Sequence, residues 1–285
     1  MIAVRLEGRL GNQLFQYAFV YAAARKLNTS FYIDKSVDKF LLPQYFEIEN
    51  DFVNPIDNKV FSITGYKNIF SIHLKRAFYS GVKLILFGGK KITIHNNGSP
   101  AEALKRLANN TLYEGHFHSE SYFWGYDDEI RQLYTVRKKH ADAFEKVRQQ
   151  FGLTKKIAVI HIRRGDYTDQ NLALPVSYYK KAMAAIPDSH VQYVFISDDN
   201  SFVQSEFGDT ADKYISTHNE IIDLQFLMHA DICILSCSSF SWWGAWLNKN
   251  KNKQVFAPKY WLGFKNGKEF PAGVGANQDF NWITV

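Results

Sequence analysis

The sequence predicts an α/β protein built on parallel sheets, in two halves. Short apolar runs bounded by turn residues alternate with longer stretches whose apolar residues recur at helical spacing. Three of the apolar runs in the second half stop abruptly in polar clusters: KIAVIHI in RRGDY, VQYVFI in SDDN and DICIL in SCSSFS. With 285 residues, 46% hydrophobic and 16% aromatic, the chain is long enough for two domains with substantial cores.

The elements follow in order. IAVRL (2–6) reads as a strand, GRLG as a turn, NQLFQYAFVYAAARKL (12–27) as a helix and FYIDKS (31–36) as a strand, together a βαβ opening. Residues 40–112 are irregular, with GG at 88–89 and NNGSP at 96–100. Within them, 72–92 is both basic and apolar, a composition suited either to an anionic membrane surface or to an ordinary helix and hairpin. In TLYEGHFHSESYF (111–123) the spacing puts His116, His118 and Glu120 on one face of a strand. An acceptor-binding edge suits this face better than a metal site, since H-x-H-x-E lacks a distant partner ligand. Residues 126–152 read as helical and end at Gly152, which places the boundary between an N-terminal domain (1–152) and a C-terminal domain (153–285).

The second half alternates more cleanly. KIAVIHI is a strand, SYYKKAMAAI (177–186) a helix, VQYVFISDD (191–199) a strand and IIDLQFLMHA (221–230) a helix. DICILS (231–236) is a strand, SFSWWGAWLNK (239–249) a helix with Trp242 and Trp243 as core, and QVFAPKYW (254–261) the last strand. That pattern is a doubly wound parallel sheet.

Net charge is +6, which favours anionic partners, but no long basic run or arginine-rich tail occurs, so nucleic acid is not an expected partner. The two cysteines, Cys233 and Cys237, form no C-x-x-C pair and read as buried free thiols. The N-terminus lacks the pattern of a signal peptide, and no run reaches the ~18–20 apolar residues of a membrane span. The expectation is a cytoplasmic protein, with 72–92 left open between peripheral contact at the inner membrane and an ordinary helix and hairpin. An adhesive role for Arg164-Gly165-Asp166 fits poorly with a segment that closes a core strand.

Ligands of open parallel sheets bind beyond the carboxyl ends of the strands, so the three polar clusters should meet on one edge. Arg163 or Arg164 can fork two N–H groups onto a phosphate. Ser239 and Ser241 open a helix whose N-terminal N–H groups favour an anion, although N-capping alone would also explain the serines. No D-x-D metal motif, Walker motif or G-x-G-x-x-G occurs. A diphosphate site built from arginines and a helix start, without metal, is the reading that follows. GRLGN lies between the first strand and helix, which puts Asn12 on the edge of the first half.

GRLGNQLFQYA (8–18), YEGHFHSESYF (113–123), HIRRGDY (161–167), FISDD (195–199) and SSFSWWGAW (238–246) together resemble the bacterial alpha-1,2-fucosyltransferases. The resemblance implies a GT-B fold, two Rossmann-like domains facing across a cleft. It implies inverting transfer of L-fucose from GDP-fucose to the 2-hydroxyl of a galactose, with no metal and no cofactor beyond the co-substrate. The acceptor would be a galactose-containing oligosaccharide or lipid-linked glycan of O-antigen or capsule. By position in the motifs, Arg163 contacts the donor diphosphate, Asp223 the guanine and Ser241 a phosphate. Asn12 faces donor phosphate and acceptor, with Gly11 beside it. Arg164, Asp198, Ser239 and Phe240 complete the donor set; His161 either contacts the nucleotide or packs at the strand end. Arg163, Asn12 and Asp166 are the catalytic candidates, Asp166 either anchoring the arginines or moving a proton. No base is assigned: YTDQN after the motif offers Asp169 and no Glu. Transfer from another nucleotide sugar, or glycan binding without catalysis, are the alternatives.

Overall fold

The computed structural model describes residues 1–48, 73–74, 77–78, 80–81, 84–85, 88–151, 155–187 and 190–285. The expectation of a membrane-facing or helix-and-hairpin segment at 72–92 falls largely outside these residues, as does the expected helix end at Gly152. The chain divides into two compact units, Met1–Thr135 and Val136–Val285.

The first unit carries a four-stranded parallel sheet in the order β2-β1-β4-β3, from Ile2–Arg5 (β1), Phe31–Asp34 (β2), Lys91–Thr93 (β3) and Thr111–Glu114 (β4). Ile2 pairs with Phe31 on one side and with Thr111 on the other, so strand order reverses between β1 and β4. Helix α1, Leu10–Lys26, is buried on almost every side. A helix with so many Phe, Tyr and Ala residues can pack all round, whereas a surface helix shows a polar stripe. Tyr17 meets Phe31, and Phe19 meets Tyr113, edge-to-face with ring centroids 5.7 and 5.3 Å apart. Arg25 and Lys26 close the last turn, where their charge suits the carbonyl end of the helix dipole.

The second unit carries six parallel strands: Lys156–Ile162 (β5), Val191–Ser197 (β6), Lys213–Ile215 (β7), Ile232–Ile234 (β8), Gln254–Pro258 (β9) and Asn281–Ile283 (β10). Their order is β10-β9-β8-β5-β6-β7. The reversal here lies between β5 and β8, the position at which doubly wound sheets bind ligands. Central β5 is buried along its last five residues, in keeping with a parallel strand covered on both faces. Trp242 and Trp243 are fully buried core residues, with rings 5.1 Å apart, and both cysteines are buried and free.

Several elements depart from the sequence reading. The helical stretch 126–152 is two helices, Asp127–Leu133 and Lys138–Arg148. Tyr134 between them is buried and donates its hydroxyl to the Leu14 carbonyl, 2.6 Å away. Phe144 of the second helix packs on Phe226 and His229, which places that helix in the second unit; the division falls at 135–136, ahead of it, rather than at 152–153. Strand β9 is not the last: β10 pairs with it in parallel. The helix Asn200–Phe207, β7 and the short helix Gly165–Asp169 are further additions. No helix among the described residues is long and apolar enough to cross a membrane.

Candidate functional site

At the carboxyl edge of the second sheet, β8, β5 and β6 are neighbours, so the three polar clusters do meet. Across the reversal, His161 Nδ1 lies 2.8 Å from Ser236 Oγ, and Tyr167 donates to the Cys237 carbonyl at 3.0 Å. Burial, reinforced by the positive charge of Arg163, pushes His161 down to about 3. It is therefore a neutral strand-end residue at working pH, its ring 5.5 Å from that of Phe240.

The two arginines have separate environments. Arg163 is held from two sides, by Asp166 and, at 2.8 Å, by Asp198. Arg164 lies over Phe202, its guanidinium carbon 3.8 Å from the ring centroid, with Nε 3.9 Å from Asp199. Its backbone N–H donates to Asp198 at 2.8 Å. Asp199 caps the next helix by accepting from the Phe202 N–H at 3.0 Å.

The helix Ser239–Leu247 starts beyond β8, and no side chain caps it at Ser238. Ser239 and Phe240 are half-buried. Ser241 is fully buried, and its hydroxyl donates back to the Ser238 carbonyl at 3.1 Å. The geometry thus turns Ser241 into a brace for the loop and leaves Ser239 and Phe240 on the outer side.

Asp223 lies in the first turn of the helix Glu220–His229, which Asn219 caps through Ile222 N–H at 3.2 Å. It accepts a hydrogen bond from Ser216 Oγ. Ser216 is fastened in turn to β6, its N–H donating to the Phe195 carbonyl at 2.8 Å. Desolvation lifts Asp223 from 3.8 to about 6, against the lowering effect of the Ser216 hydrogen bond.

In the first unit, GRLGNQ forms the loop from β1 into α1. Gln13 and Gln16 are fully buried and work as staples. Gln13 Nε2 donates to the carbonyls of Gly8 (3.1 Å) and Lys39 (2.8 Å), and Gln16 Nε2 to those of Glu7 (3.2 Å) and Gly115 (3.0 Å). The second staple spans the β1/β4 reversal. Gly11 is buried inside the helix; the glycine that the loop requires is Gly8, at φ +86. A Cβ there would lie 2.5 Å from Asn12 Nδ2. Asn12 Oδ1 lies 3.0 Å from His118 Nε2.

His116, His118 and Glu120 do not share a strand face. Strand β4 ends at Glu114, and Phe117 turns back at φ +54 to stack on Phe19 at 3.8 Å. The two histidine rings still stack, 5.2 Å apart, whereas Glu120 opens a separate 3₁₀ turn. Burying Phe117 outweighed the alternation that the sequence suggested. Among the described residues, no three His, Cys, Asp or Glu side chains gather as a metal-ligand set.

Sequence reasoning missed Gln13, Gln16, Gly8, Ser216 and Ser236. Of these, only GNQ within a strand–helix junction carried a visible signal.

A model of glycosyl transferase family 11 matches residues 100–283. An alpha-1,2-colitosyltransferase of Escherichia coli is 29% identical over 280 residues, 92% of each chain. The O-antigen biosynthesis glycosyltransferase WbnK, also of Escherichia coli, is 27% identical over 298 residues, 92% of this chain and 95% of that one. Among solved structures, NodZ from Bradyrhizobium, an alpha-1,6-fucosyltransferase, has the same fold. Its form co-crystallised with GDP gives a TM-score of 0.54 at 15% identity, covering 86% of this chain and 91% of that one.

Proposed function

The chain belongs to glycosyl transferase family 11, and on that premise we propose that it transfers L-fucose from GDP-fucose to the 2-hydroxyl of a terminal galactose, with inversion and without a metal. The acceptor in this reading is a galactose-containing glycan, free or lipid-linked, of a bacterial O-antigen; the names of the two Escherichia coli relatives support the alpha-1,2 linkage and that setting. The second unit takes the donor and the first unit the acceptor, the two together forming a GT-B enzyme.

One observation carries the reading: a guanidinium held by two carboxylates at the β5 strand end, at the sheet reversal, with a helix starting beyond the neighbouring strand β8. Breaking the sugar–phosphate bond leaves negative charge on GDP. A fixed guanidinium and helix N–H groups stabilise that charge as it develops, with no reorganisation at the moment of reaction. At the other end of the nucleotide, ionised Asp223 offers two oxygens to the adjacent N1–H and N2–H donors of guanine, a pairing that uracil lacks. His161, neutral and tied to Ser236, serves as a wall of the site rather than as a base.

A second reading keeps the site and changes the sugar. The 29% identical relative is a colitosyltransferase, and colitose is fucose without its 3-hydroxyl.

Purified protein incubated with lactose and GDP-fucose, with and without EDTA, tests the proposal. The expected product is an α-fucosylated lactose, identified by mass spectrometry and its anomeric proton coupling, at a rate EDTA does not change. Turnover with UDP sugars in place of GDP sugars would overturn the guanine assignment. Loss of activity in EDTA would overturn the metal-free mechanism. Glycan binding with no release of GDP would point to a binding protein on the same scaffold.

A further inference from the structure

We propose that Asp198 is a positioning residue for the leaving-group site, acting on the donor through Arg163 and not by touching it. The inference rests on the assignment of Arg163 to the departing diphosphate.

The sheet register delivers the pair. Strands β5 and β6 run in parallel with His161 opposite Ile196 and Ile162 opposite Ser197. The residues that follow the two strands are Arg163 and Asp198. Both oxygens of Asp198 are then engaged: Oδ1 accepts from the Arg164 backbone N–H at 2.8 Å, and Oδ2 pairs with Arg163 Nη1 at 2.8 Å. One carboxylate therefore fixes the loop and the guanidinium that the loop carries.

Gly165 supplies an independent sign of this clamp. A Cβ at that position would lie 2.7 Å from Asp198 Oδ2. The carboxylate packs so closely on the loop that a side chain at 165 would displace it. The same contact accounts for a glycine immediately after two arginines.

Charge settles which way Asp198 works. A carboxylate facing a diphosphate repels it; a carboxylate behind a guanidinium orients it. Arg163 has many rotamers, and freezing them before the donor arrives removes an ordering cost from the reaction. Asp166 binds the same guanidinium differently: its side chain is 49% exposed against 25% for Asp198. It belongs to the short helix Gly165–Asp169 on the outer side of the arginine. Asp198 is the inner, doubly bonded partner.

Asp198→Asn separates the two bonds, because its amide oxygen still accepts from the Arg164 N–H while its NH₂ meets Arg163 donor to donor. Transfer from GDP-fucose should fall about 100-fold, the size of effect seen when a charge-stabilising group is lost from a transition state. In an Arg163→Ala background the same change should have almost no further effect, since the residue it positions is gone. Losses that multiply in the double variant would overturn the proposal. Gly165→Ala should reproduce the Asp198→Asn defect; wild-type rates would count against the close packing. A ligand-free readout stands beside these. Guanidinium NMR should resolve separate Arg163 Nη resonances in the wild type, and these should average together in Asp198→Asn. If they stay resolved, Arg163 is held without Asp198 and the proposal falls, whatever the donor proves to be. If the wild type transfers nothing from GDP-fucose, the functional reading fails, and the NMR comparison still decides the clamp.

Discussion

His118 Nε2 lies 3.0 Å from Asn12 Oδ1, tying the loop after β4 to the first turn of α1 across the strand reversal of the first unit. Desolvation, with a smaller push from the neighbouring His116, lowers His118 to about 3. The ring is thus neutral at any working pH, and a neutral ring facing an amide oxygen carries its proton on Nε2. That hydrogen bond fixes the amide with Nδ2 on the Gly8 side. With its Oδ1 turned to the ring, Asn12 keeps an amide NH₂ that can donate hydrogen bonds and cannot take a proton.

Removing that orientation should slow the reaction without unfolding the protein. We expect His118→Ala to lower kcat by ~10- to 100-fold, the cost of a catalytic group displaced by about an ångström. His118→Gln, which restores an N–H donor, should recover part of it. Because burial pushes His118 down to about 3, the wild-type rate should show no step from this residue between pH 5 and 8. A step in that range that disappears in His118→Gln would show that the ring works in its charged form.

Gly8 makes the same geometry possible from the other side. Its φ of +86 strains any residue with a Cβ, and a Cβ there would press on Asn12 Nδ2, 2.5 Å away. Gly8→Ala should cost about 1–3 kcal/mol in stability, the range for a residue forced into a sparsely populated backbone region. It should also lower kcat, because the side chain that would move is Asn12. Chemical denaturation and steady-state kinetics on one preparation measure both. A stability loss with unchanged kcat would separate Asn12 from the chemistry.

Asp223 gives a pH dependence with a definite sign. Its folded-state value is raised from 3.8 to about 6, chiefly by desolvation. A raised value contributes stability that is fully present below 3.8 and is lost as pH rises through about 6. At neutral pH, keeping this carboxylate ionised therefore costs roughly 1–3 kcal/mol of folding free energy. Asp223→Asn should raise the melting temperature of the ligand-free protein at pH 7.5. The same change should abolish selective GDP binding, since an amide offers only one acceptor to guanine. In the wild type, GDP affinity by calorimetry should weaken as pH falls from 7 to 5. Affinity that is flat over this range would remove Asp223 from the base pocket.

Much of this architecture can be read from the chain, and the remainder fails for identifiable reasons. KIAVIHI, VQYVFI and DICIL are legible because strands covered on both faces are mostly apolar, and their abrupt polar ends mark the carboxyl edge where open parallel sheets take ligands. Lys213–Ile215 and Asn281–Ile283 are three residues each, half-buried or exposed, and carry no such signature. Tyr134 interrupts a helical stretch without any glycine or proline, through a tertiary hydrogen bond to Leu14 that composition does not encode. The same limit applies at the site. Arg163 stands out as charge at a strand end. The partnership of Asp198 depends on the β5/β6 register, and the inward turn of Ser241 depends on a loop carbonyl.

The adjacent arginines should respond oppositely to conservative change. Arg163 is fixed by two carboxylates, and a forked guanidinium can hold both while still presenting N–H groups to a phosphate. Lysine keeps the charge but offers a single point, so Arg163→Lys should lower kcat by ~10²- to 10³-fold with little change in melting temperature. Arg164 lies over the Phe202 ring, and its buried Nε has no hydrogen-bond partner among the described residues. Its contribution is mainly the stacking of a cation on a ring, about 0.5–2 kcal/mol. Arg164→Lys should therefore lower stability by about that amount and leave kcat within a few-fold. Phe202→Leu should make Arg164→Lys nearly neutral for stability, since the stacking partner is gone. If Arg164→Lys instead matched Arg163→Lys in kcat, both guanidinium groups would reach the diphosphate, and the stack on Phe202 would have to open when the donor binds.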